Sequence, residues 1–249
     1  MVALFPNNCP IGKKLCDDCE NIEVCTAFYN AGFTPSGKQT EESLELEKLV
    51  EAVKNGTAQE LYKVHDTIAA GGYDFEIIGF NHDKDFEDPT AYTVTLMAKQ
   101  LGPERRMHND YCERGWCDTE LRKWLNEEFI STLPGGILRH ICAVQKDTHS
   151  PGGELISTLD RLFVPSESEL FGSAIWADYE DGQRYEAFST SEKRMRVDED
   201  GDPCWYWTRS LTARGGFSTG AAIVRCNGYA SCRSTSHATG RVPVCFTIS

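Results

Sequence analysis

Strand-like runs in this chain are short, and long polar loops separate them. Residues 75–80 and 92–98 are rich in aromatic and branched side chains, and the polar segment NHDKDFEDP lies between them. This pattern is typical of antiparallel strands joined by a loop. Helical segments are too few to follow every strand, as a parallel βαβ repeat requires, so the sequence predicts an α+β fold. Further strand-like segments occur at 141–144, 162–164, 221–224 and 242–248, and the last of these alternates apolar with other residues.

The first helix is predicted at residues 38–60, after a Pro/Ser/Gly linker. Thr40 is followed by Glu41 and Glu42, which supplies a cap and an acidic first turn. The Asn-Gly pair at 55–56 is expected to end the helix. Its apolar stripe consists of Leu46, Leu49, Val50 and Val53.

A second helix is predicted to begin at Asp118 as its cap and to stop at the Pro-Gly-Gly of residues 134–136. One face of this helix carries Leu121, Trp124, Leu125 and Phe129. A further turn of helix is expected to start at Ser166 and run through Leu170.

Length and charge restrict the classes of protein. The chain has 249 residues, which is enough for one large domain, placed at 61–249, with a small appendage. Its net charge is −13. Such acidity opposes phosphate contacts, so no nucleic-acid partner is expected. No apolar run approaches the length of a membrane span, and the N-terminus lacks the pattern of a signal peptide. We therefore expect synthesis in the bacterial cytoplasm.

Four of the eleven cysteines lie in the first 25 residues and define a Cys-rich segment at 1–37. The Cys-Asp-Asp-Cys spacing allows two thiolates to hold one metal ion, and two further cysteines can complete a tetrahedral site. The predicted ligands of a structural zinc ion are Cys9, Cys16, Cys19 and Cys25. An iron–sulfur cluster takes the same ligands, and free or disulfide-paired cysteines are the alternative without metal.

The C-terminal end has an unusual composition. Residues 203–249 contain five arginines and no carboxylate, and Lys, Glu, Gln, Met and Trp are all missing between Leu211 and Arg241. Codons that begin with AA and end in a pyrimidine can never yield those five residue types when only their adenines are changed. The composition is what adenine-directed mutagenesis leaves behind. A Gly/Ser-rich loop region that lacks these residues by chance is the alternative.

Five segments together resemble an uncharacterised domain family common in gut bacteria and their phages, over about residues 61–248. The segments are FEIIGFNHD, GWCDTELRKWLNEEFISTLP, LFVPSESELFG, WYWTRS and RVPVCFTI. The family is marked by a W-x-S-x-(L/M)-R-x-(W/Y)-L-N helix, a (K/R)-(V/L)-F-(L/V)-(L/P)-S-x-x-E turn, a W-W-L-R-S element and a terminal G-V-R-P strand. Here the terminal element reads Gly-Arg-Val-Pro, a small departure.

This resemblance implies a C-type-lectin-like fold, related to that of formylglycine-generating enzymes. The implied fold is also similar to that of the variable proteins of diversity-generating retroelements, in which mutagenesis rewrites a C-terminal stretch. The resemblance places the variable segment at about 208–241. It also implies that the protein is a receptor-binding protein of a phage or prophage and is associated with the virion. The implied partners are a bacterial cell-surface protein or glycan and phage tail components, with a homo-oligomer also open. Variable segments of this kind usually keep more Asn, Asp and Tyr than this one has.

The predicted ligand contacts are small polar residues with a few large anchors, as suits adaptable recognition from loops on a rigid scaffold. Core packing is the alternative for Phe217 and Tyr229, and it is the prediction for Trp205 and Trp207. The predicted contacts are Arg214, Phe217, Ser218, Arg225, Asn227, Tyr229, Ser231, Arg233, Thr235, His237 and Thr239.

The sequence offers no positive sign of catalysis. The six histidines show no metal-ligand spacing, and no phosphate-binding loop or nucleophile elbow occurs. A C-terminal calcium site is not expected without carboxylates, and the acidic residues 198–202 fit a solvated loop. An oxidase of the formylglycine-generating type needs paired redox cysteines, but Cys226, Cys232 and Cys245 have no base beside them in sequence. The main alternative to ligand binding is a phage assembly protein with a fixed surface.

Overall fold

The computed structural model describes residues 41–179, 182–213 and 219–249. The strands are β1 (Thr67–Ala70), β2 (Tyr73–Phe80), β3 (Val94–Ala98), β4 (Gly102–Arg105), β5 (Ile141–Cys142), β6 (Val144–His149), β7 (Leu155–Asp160), β8 (Arg196–Val197), β9 (Pro203–Cys204), β10 (Tyr206–Thr212), β11 (Gly220–Val224), β12 (Ala230–Ser234), β13 (Gly240–Val242) and β14 (Cys245–Ile248). The α-helices are α1 (Glu41–Lys54), α2 (Ala58–Leu61), α3 (Glu120–Lys123), α4 (Gly135–Leu138), α5 (Glu167–Phe171) and α6 (Ser191–Arg194).

The first sheet has the strand order β1-β2-β3-β14-β5, with antiparallel neighbours throughout. The C-terminal strand β14 lies inside this sheet, where Ile248 pairs with Val94 on one side and with Ile141 on the other. All four residues of β14 are buried. The edge-to-face contact between Phe75 and Phe246, with ring centroids 4.9 Å apart, joins β2 to β14. The end of the chain is therefore part of the core.

The second sheet has the order β12-β11-β10-β13-β4, and within it only β10 and β13 are parallel. Its centre is fully buried, since no residue of β10 or β11 is exposed. Two small antiparallel hairpins, β6-β7 and β8-β9, form the two-stranded sheets of the described residues. Few helices and mostly antiparallel short strands make this an α+β fold, as the sequence predicts.

Helix α1 confirms the first helix prediction in its core-facing stripe. Leu46, Leu49, Val50 and Val53 are all buried, and α1 packs on β1. The predicted segment 38–60 nevertheless contains two helices, because Asn55 and Gly56 separate α1 from α2. Gly56 has a φ of +70° and ends α1 in the left-handed conformation that glycine tolerates.

The second predicted helix is irregular, and its cap is Thr119, not Asp118. The Thr119 hydroxyl oxygen accepts a hydrogen bond from the backbone N–H of Arg122, and α3 then continues as a π-helix at Trp124–Glu128 and a 3₁₀ turn at Phe129–Thr132. In the π segment, Asn126 Oδ1 accepts the N–H groups of Arg161 and Leu162 at 2.9 and 3.0 Å. This clamp explains why the helix widens at Asn126.

Pro134 and the two glycines that follow begin a new helix, so the prediction that they stop the preceding one is wrong. The helical stretch has already ended at Thr132, and Pro134 is the N-cap of α4. The turn at Ser166 is confirmed, because Ser166 and Glu169 form a reciprocal capping box at the start of α5.

The prediction of one alternating strand at 242–248 is wrong. The segment forms β13 and β14, and Pro243 between them lacks the N–H that a continuous ladder needs. Alternation fails because β14 lies inside a sheet that is covered on both faces. The apolar run at 162–164 forms no strand either. Phe163 makes a single bridge to Cys245, with N···O distances of 3.0 and 2.9 Å.

Candidate functional site

The predicted ligand contacts that the structure describes begin on the β11–β12 hairpin. The Arg225 N–H donates to Tyr229 O at 2.8 Å, and Ser231 pairs with Ile223. Because side chains alternate along a strand, Tyr229, Ser231 and Arg233 share one face, and Arg225 joins them from across the hairpin. Arg225 Nη2 donates to Ser231 Oγ at 3.1 Å on that face. We call Arg225, Tyr229, Ser231 and Arg233 the hairpin face.

The turn that presents the hairpin face is held tightly. Gly228 has a φ of +78°, and a Cβ atom there would lie 1.9 Å from the Ser191 carbonyl oxygen. Arg194 Nε donates to Gly228 O at 3.0 Å, and Arg194 Nη1 donates to Phe188 O at 2.8 Å. The guanidinium of Arg194 also stacks on Phe171, 4.5 Å from its ring centroid. A buried arginine therefore fixes the turn to α6.

The large side chains of the hairpin face lie in solvent. Tyr229 is 60% exposed, so the alternative of core packing does not hold for this residue. Arg225, Asn227 and Arg233 are exposed as well. Asn227 Oδ1 accepts the Tyr229 N–H at 3.4 Å, which is a long contact within the turn. These side chains can meet a ligand without disturbing the core.

Two predicted contacts do not face solvent. Ser231 is 4% exposed beneath Arg225, and Thr235 is 1% exposed. Thr235 donates through its N–H and its hydroxyl to Thr219 O, both at 3.3 Å. The expectation that they project outward is therefore wrong. Ser231 instead supports Arg225, and Thr235 closes the end of the hairpin.

His237 and Thr239 lie in the loop between β12 and β13 and are exposed. His237 Nδ1 is 3.1 Å from the hydroxyls of Ser234 and Ser236. Among the described residues, no hydrogen bond joins this loop to Arg225 or Tyr229, so the loop and the hairpin face form two separate exposed groups. Arg214, Phe217 and Ser218, and the predicted metal ligands Cys9, Cys16, Cys19 and Cys25, lie outside the described residues.

Trp207 is buried as predicted, and its indole Nε1–H donates to Arg105 O at 2.8 Å. Trp205 is half-buried and meets Trp207 edge to face, with centroids 5.0 Å apart. Gly240 lies against this pair, where a Cβ atom would lie 2.4 Å from the Trp205 ring. The aromatic pair therefore belongs to the scaffold and is unsuited to ligand contact.

A second polar group lies deep in the protein. Lys146 Nζ donates to Asp83, to Glu169 Oε1 at 3.1 Å and to Tyr185 Oη at 3.1 Å. Glu169 also accepts a hydrogen bond from the guanidinium of Arg209, with a distance of 2.8 Å from Nη2 to Oε1. Each of these five side chains is less than one-tenth exposed. We call Asp83, Lys146, Glu169, Tyr185 and Arg209 the buried ion cluster.

Charges in the buried ion cluster compensate each other. Burial alone would raise the pKa of Asp83, but the charge and hydrogen bond of Lys146, together with His82, hold that pKa below its usual value. Burial opposes ionisation of Glu169 as well, yet Arg209 and Lys146 lower its pKa strongly. Burial and the charge of Asp83 raise the pKa of Tyr185. The carboxylates therefore stay ionised and the phenol stays neutral.

His82, Asp83 and Glu169 place three potential metal-binding atoms within 4.8 Å of one another. The Lys146 ammonium already forms ion pairs with the carboxylates of Asp83 and Glu169. Burial lowers the pKa of His82. A lysine ammonium carries the charge that a cation would supply, so these residues form an ion-paired core and do not suit a metal.

Burial disfavours the thiolate form of several cysteines. It raises the pKa of Cys112 and of Cys142 to about 12, and the pKa of Cys245 is raised still further. Burial also raises the pKa of Cys232, whereas Cys226 is exposed in the hairpin turn. All five are free thiols. Nothing in these contacts activates a thiolate as nucleophilic catalysis requires.

Sequence reasoning missed the buried ion cluster, although three of its five residues lie in segments that carry the family resemblance. Asp83 ends FEIIGFNHD, Glu169 lies in LFVPSESELFG and Arg209 lies in WYWTRS. Arg209 gave the available signal, a charged residue that follows the aromatic run Trp-Tyr-Trp, since such charges are buried only when paired. Lys146 gave a weaker signal, because Val144, Lys146 and Thr148 alternate on the inner face of β6.

Residues 92–249 match the family described as Domain of unknown function (DUF6273). The match spans more than half of the chain, which therefore belongs to this family. Strands β1 and β2 precede the matched segment, yet they belong to the first sheet, where β1 pairs with β2 and β2 pairs with β3. Comparisons with curated proteins and with solved structures gave no match. In the described residues, no helix is both long enough and apolar enough to span a bilayer.

Proposed function

We propose that this protein is a non-enzymatic binding protein and that its C-terminal surface, centred on the hairpin face, contacts a bacterial cell-surface protein or glycan. The observation that carries the proposal is exposure of large recognition side chains on an anchored turn. Tyr229 is 60% exposed, while Arg194 and the close approach of Gly228 to Ser191 fix its backbone. Rigid presentation lowers the entropy lost on binding.

The same arrangement supports a surface that tolerates substitution. Arg225, Asn227, Tyr229 and Arg233 are exposed, so changing them leaves the buried sheet beneath intact. We propose that the segment at about 208–241 is diversified by adenine-directed mutagenesis, that the domain is C-type-lectin-like, and that the protein is a phage or prophage product carried on the virion. The restricted composition of the segment supports this part of the proposal.

Binding to fractionated bacterial envelopes tests the proposed function. The full chain is immobilised, and retained material is compared with that of a triple variant, Arg225→Ala/Tyr229→Ala/Arg233→Ala. We expect the wild type to retain an envelope component and the variant to lose most of it. The matched control is Lys48→Ala/Leu61→Ala/Lys54→Ala, which removes three exposed side chains from the first two helices. Equal retention by all three proteins contradicts the proposal.

A structural assembly protein with a fixed surface is the second candidate, favoured by the full burial of Ser231 and Thr235 within the segment. It predicts no retained envelope component. The structural zinc ion at Cys9, Cys16, Cys19 and Cys25 stays a proposal as well. Metal analysis of the purified chain should give one zinc per chain, and Cys16→Ser/Cys19→Ser should abolish it.

A further inference from the structure

We infer that the ligand of the hairpin face is an anionic glycan, a sugar polymer that carries carboxylate or phosphate groups. This inference rests on the proposed function and names the ligand chemistry of that same surface. It depends on three properties of the face: its uncompensated positive charge, the spacing of its side chains and the kind of side chain present.

The charge of the hairpin face opposes that of the whole protein. The chain has a net charge of −13, but no Asp or Glu occurs in residues 203–249. Within the described residues, neither Arg225 nor Arg233 has a carboxylate partner. Arg225 donates to the Ser231 hydroxyl, and Arg233 Nη1 donates to Cys232 O at 3.1 Å. Each guanidinium uses one donor nitrogen in these contacts and keeps others for an anion.

Arg241 shows what a structural arginine looks like in the same sheet. It is paired with Glu199, with 2.7 Å from Nη1 to Oε2, and lies 3.6 Å from Asp198. Arg122 and Arg209 likewise pair with Asp160 and Glu169. Arg225 and Arg233 depart from this pattern, because they are exposed and bonded only to neutral oxygens. Their charges are available to a partner.

The spacing of the face suits an extended polymer. Tyr229 and Arg233 are four residues apart in extended chain, which separates them by about 13 Å. Arg225 lies across from Tyr229 and leans toward Ser231. The two guanidiniums and the ring are thus arranged in a row along β12, so more than one unit of a repeating anion can be bound at once.

The side chains favour a sugar over a peptide or a nucleic acid. The exposed phenol of Tyr229 offers an aromatic face for the C–H surface of a sugar ring, while the Tyr229 hydroxyl stays in contact with solvent. The apolar residues that share this face, Ala221 and Ile223, pair with Arg233 and Ser231 and are buried, so they offer no exposed apolar surface to peptide side chains. A single-stranded nucleic acid stacks successive bases on several aromatic side chains, whereas the hairpin face carries one aromatic ring, that of Tyr229.

Binding of defined polymers to the full chain tests the inference. The probes are polygalacturonate, a poly(glycerol phosphate), neutral galactan, poly-glutamate and single-stranded poly-dT, measured by biolayer interferometry. We expect one or both anionic sugar polymers to bind and neutral galactan not to bind. Raising NaCl from about 0.05 to about 0.3 M should weaken binding because screening shortens the reach of charge. Addition of EDTA should have no effect, since residues 203–249 contain no carboxylate to hold calcium.

Variants assign the binding to the hairpin face. Arg225→Gln/Arg233→Gln should raise the Kd roughly tenfold or more, as expected for loss of charge-assisted hydrogen bonds. Tyr229→Ala should weaken binding several-fold, whereas Tyr229→Phe keeps the ring and should bind nearly as well. Lys48→Gln/Lys54→Gln is the matched control, because it makes the same change in net charge on α1 and should leave the Kd unchanged.

The outcomes separate the inference from the proposed function. Envelope binding that survives Arg225→Gln/Arg233→Gln, or failure of both anionic sugar polymers, overturns the anionic-glycan assignment and leaves the proposed function standing. Tighter binding of poly-glutamate or poly-dT than of either sugar polymer also overturns it. If the wild type retains neither a polymer nor an envelope component, the proposed function itself fails.

Discussion

The buried ion cluster and the hairpin face both contain arginines, and they use them in opposite ways. Arg209 is 3% exposed and forms two hydrogen bonds with the Glu169 carboxylate, whereas Arg225 and Arg233 lie in solvent without a carboxylate partner in the described residues. A buried charge that loses its partner destabilises the fold, but an exposed one loses almost nothing. Charge is therefore structural in the buried ion cluster, whereas on the hairpin face it is exposed to solvent.

Glu169→Gln should give the largest effect. It removes the charge that compensates Lys146 and Arg209 inside the core, and breaking such a buried pair costs about 3–5 kcal/mol in unfolding free energy. Urea unfolding followed by tryptophan fluorescence measures the change. Glu127→Gln, the same substitution at an exposed position, is the control and should alter the free energy by about 0.5 kcal/mol or less. Equal losses of unfolding free energy in the two variants would contradict a structural role for charge in the buried ion cluster.

Gly228→Ala should be the next largest. The new Cβ atom would collide with the Ser191 carbonyl, and the left-handed backbone adds strain, so we expect a loss of about 2–3 kcal/mol. Gly72 has a similar φ of +81° in the β1–β2 turn, but a Cβ atom there meets nothing within 4 Å. Gly72→Ala should therefore cost only about 1 kcal/mol, from strain alone. A smaller loss at Gly228 than at Gly72 would mean that the turn is not anchored as described.

Acid should weaken the protein through the buried ion cluster. The pKa values of Asp83 and Glu169 lie below their ordinary values of 3.8 and 4.5, so their contribution to stability is present above those values and is lost as pH falls toward the folded pKa. His82 adds to the loss below pH 6.5, because burial lowers its folded pKa and the unfolded chain binds that proton first. Thermal melts from about pH 7 to about pH 3 measure the trend.

Thermal melts of Glu169→Gln over the same pH range test whether Glu169 causes the acid sensitivity. The variant has no carboxylate at that position, so its stability should fall less than that of the wild type below pH 4.5. Parallel curves for the two proteins would show that the acid sensitivity arises elsewhere.

Substitutions on the hairpin face should have the smallest effect on stability. Arg225→Ala and Arg233→Ala remove exposed side chains bonded only to neutral oxygens, and each should change the unfolding free energy by about 0.5 kcal/mol or less. Calorimetric melts of both variants check this expectation. A loss of 2 kcal/mol or more, roughly the range of core substitutions, would place these arginines in the scaffold.

The sequence predicted the regular, locally determined parts of the molecule. The apolar stripe of α1, the capping box at Ser166 and the burial of Trp207 follow from periodicity and cap chemistry. The π segment at Trp124–Glu128 was missed because its cause, the clamp of Asn126 on a segment about 35 residues away, is a tertiary contact. Local patterns carry no signal for such contacts.

The candidate site was predicted unevenly for a similar reason. Exposure of Arg225, Tyr229 and Arg233 agrees with the prediction, but Ser231 and Thr235 are small polar residues whose burial depends on cross-strand neighbours. The buried ion cluster draws residues from five separate segments, and pairing at that separation cannot be derived from one sequence.

Deep sequencing of the coding region for residues 205–249 in the source population tests the central claim most directly. We expect substitutions confined to AA-pyrimidine codons, which among the described residues fall at the exposed positions Arg225, Asn227, Tyr229, Arg233, His237 and Thr239. We also expect a nearby near-copy of the region that differs only at adenines. Arg209 and Trp207 should be invariant. An invariant segment without such a copy, or substitutions spread equally over buried and exposed positions, would contradict a variable recognition surface on a fixed scaffold.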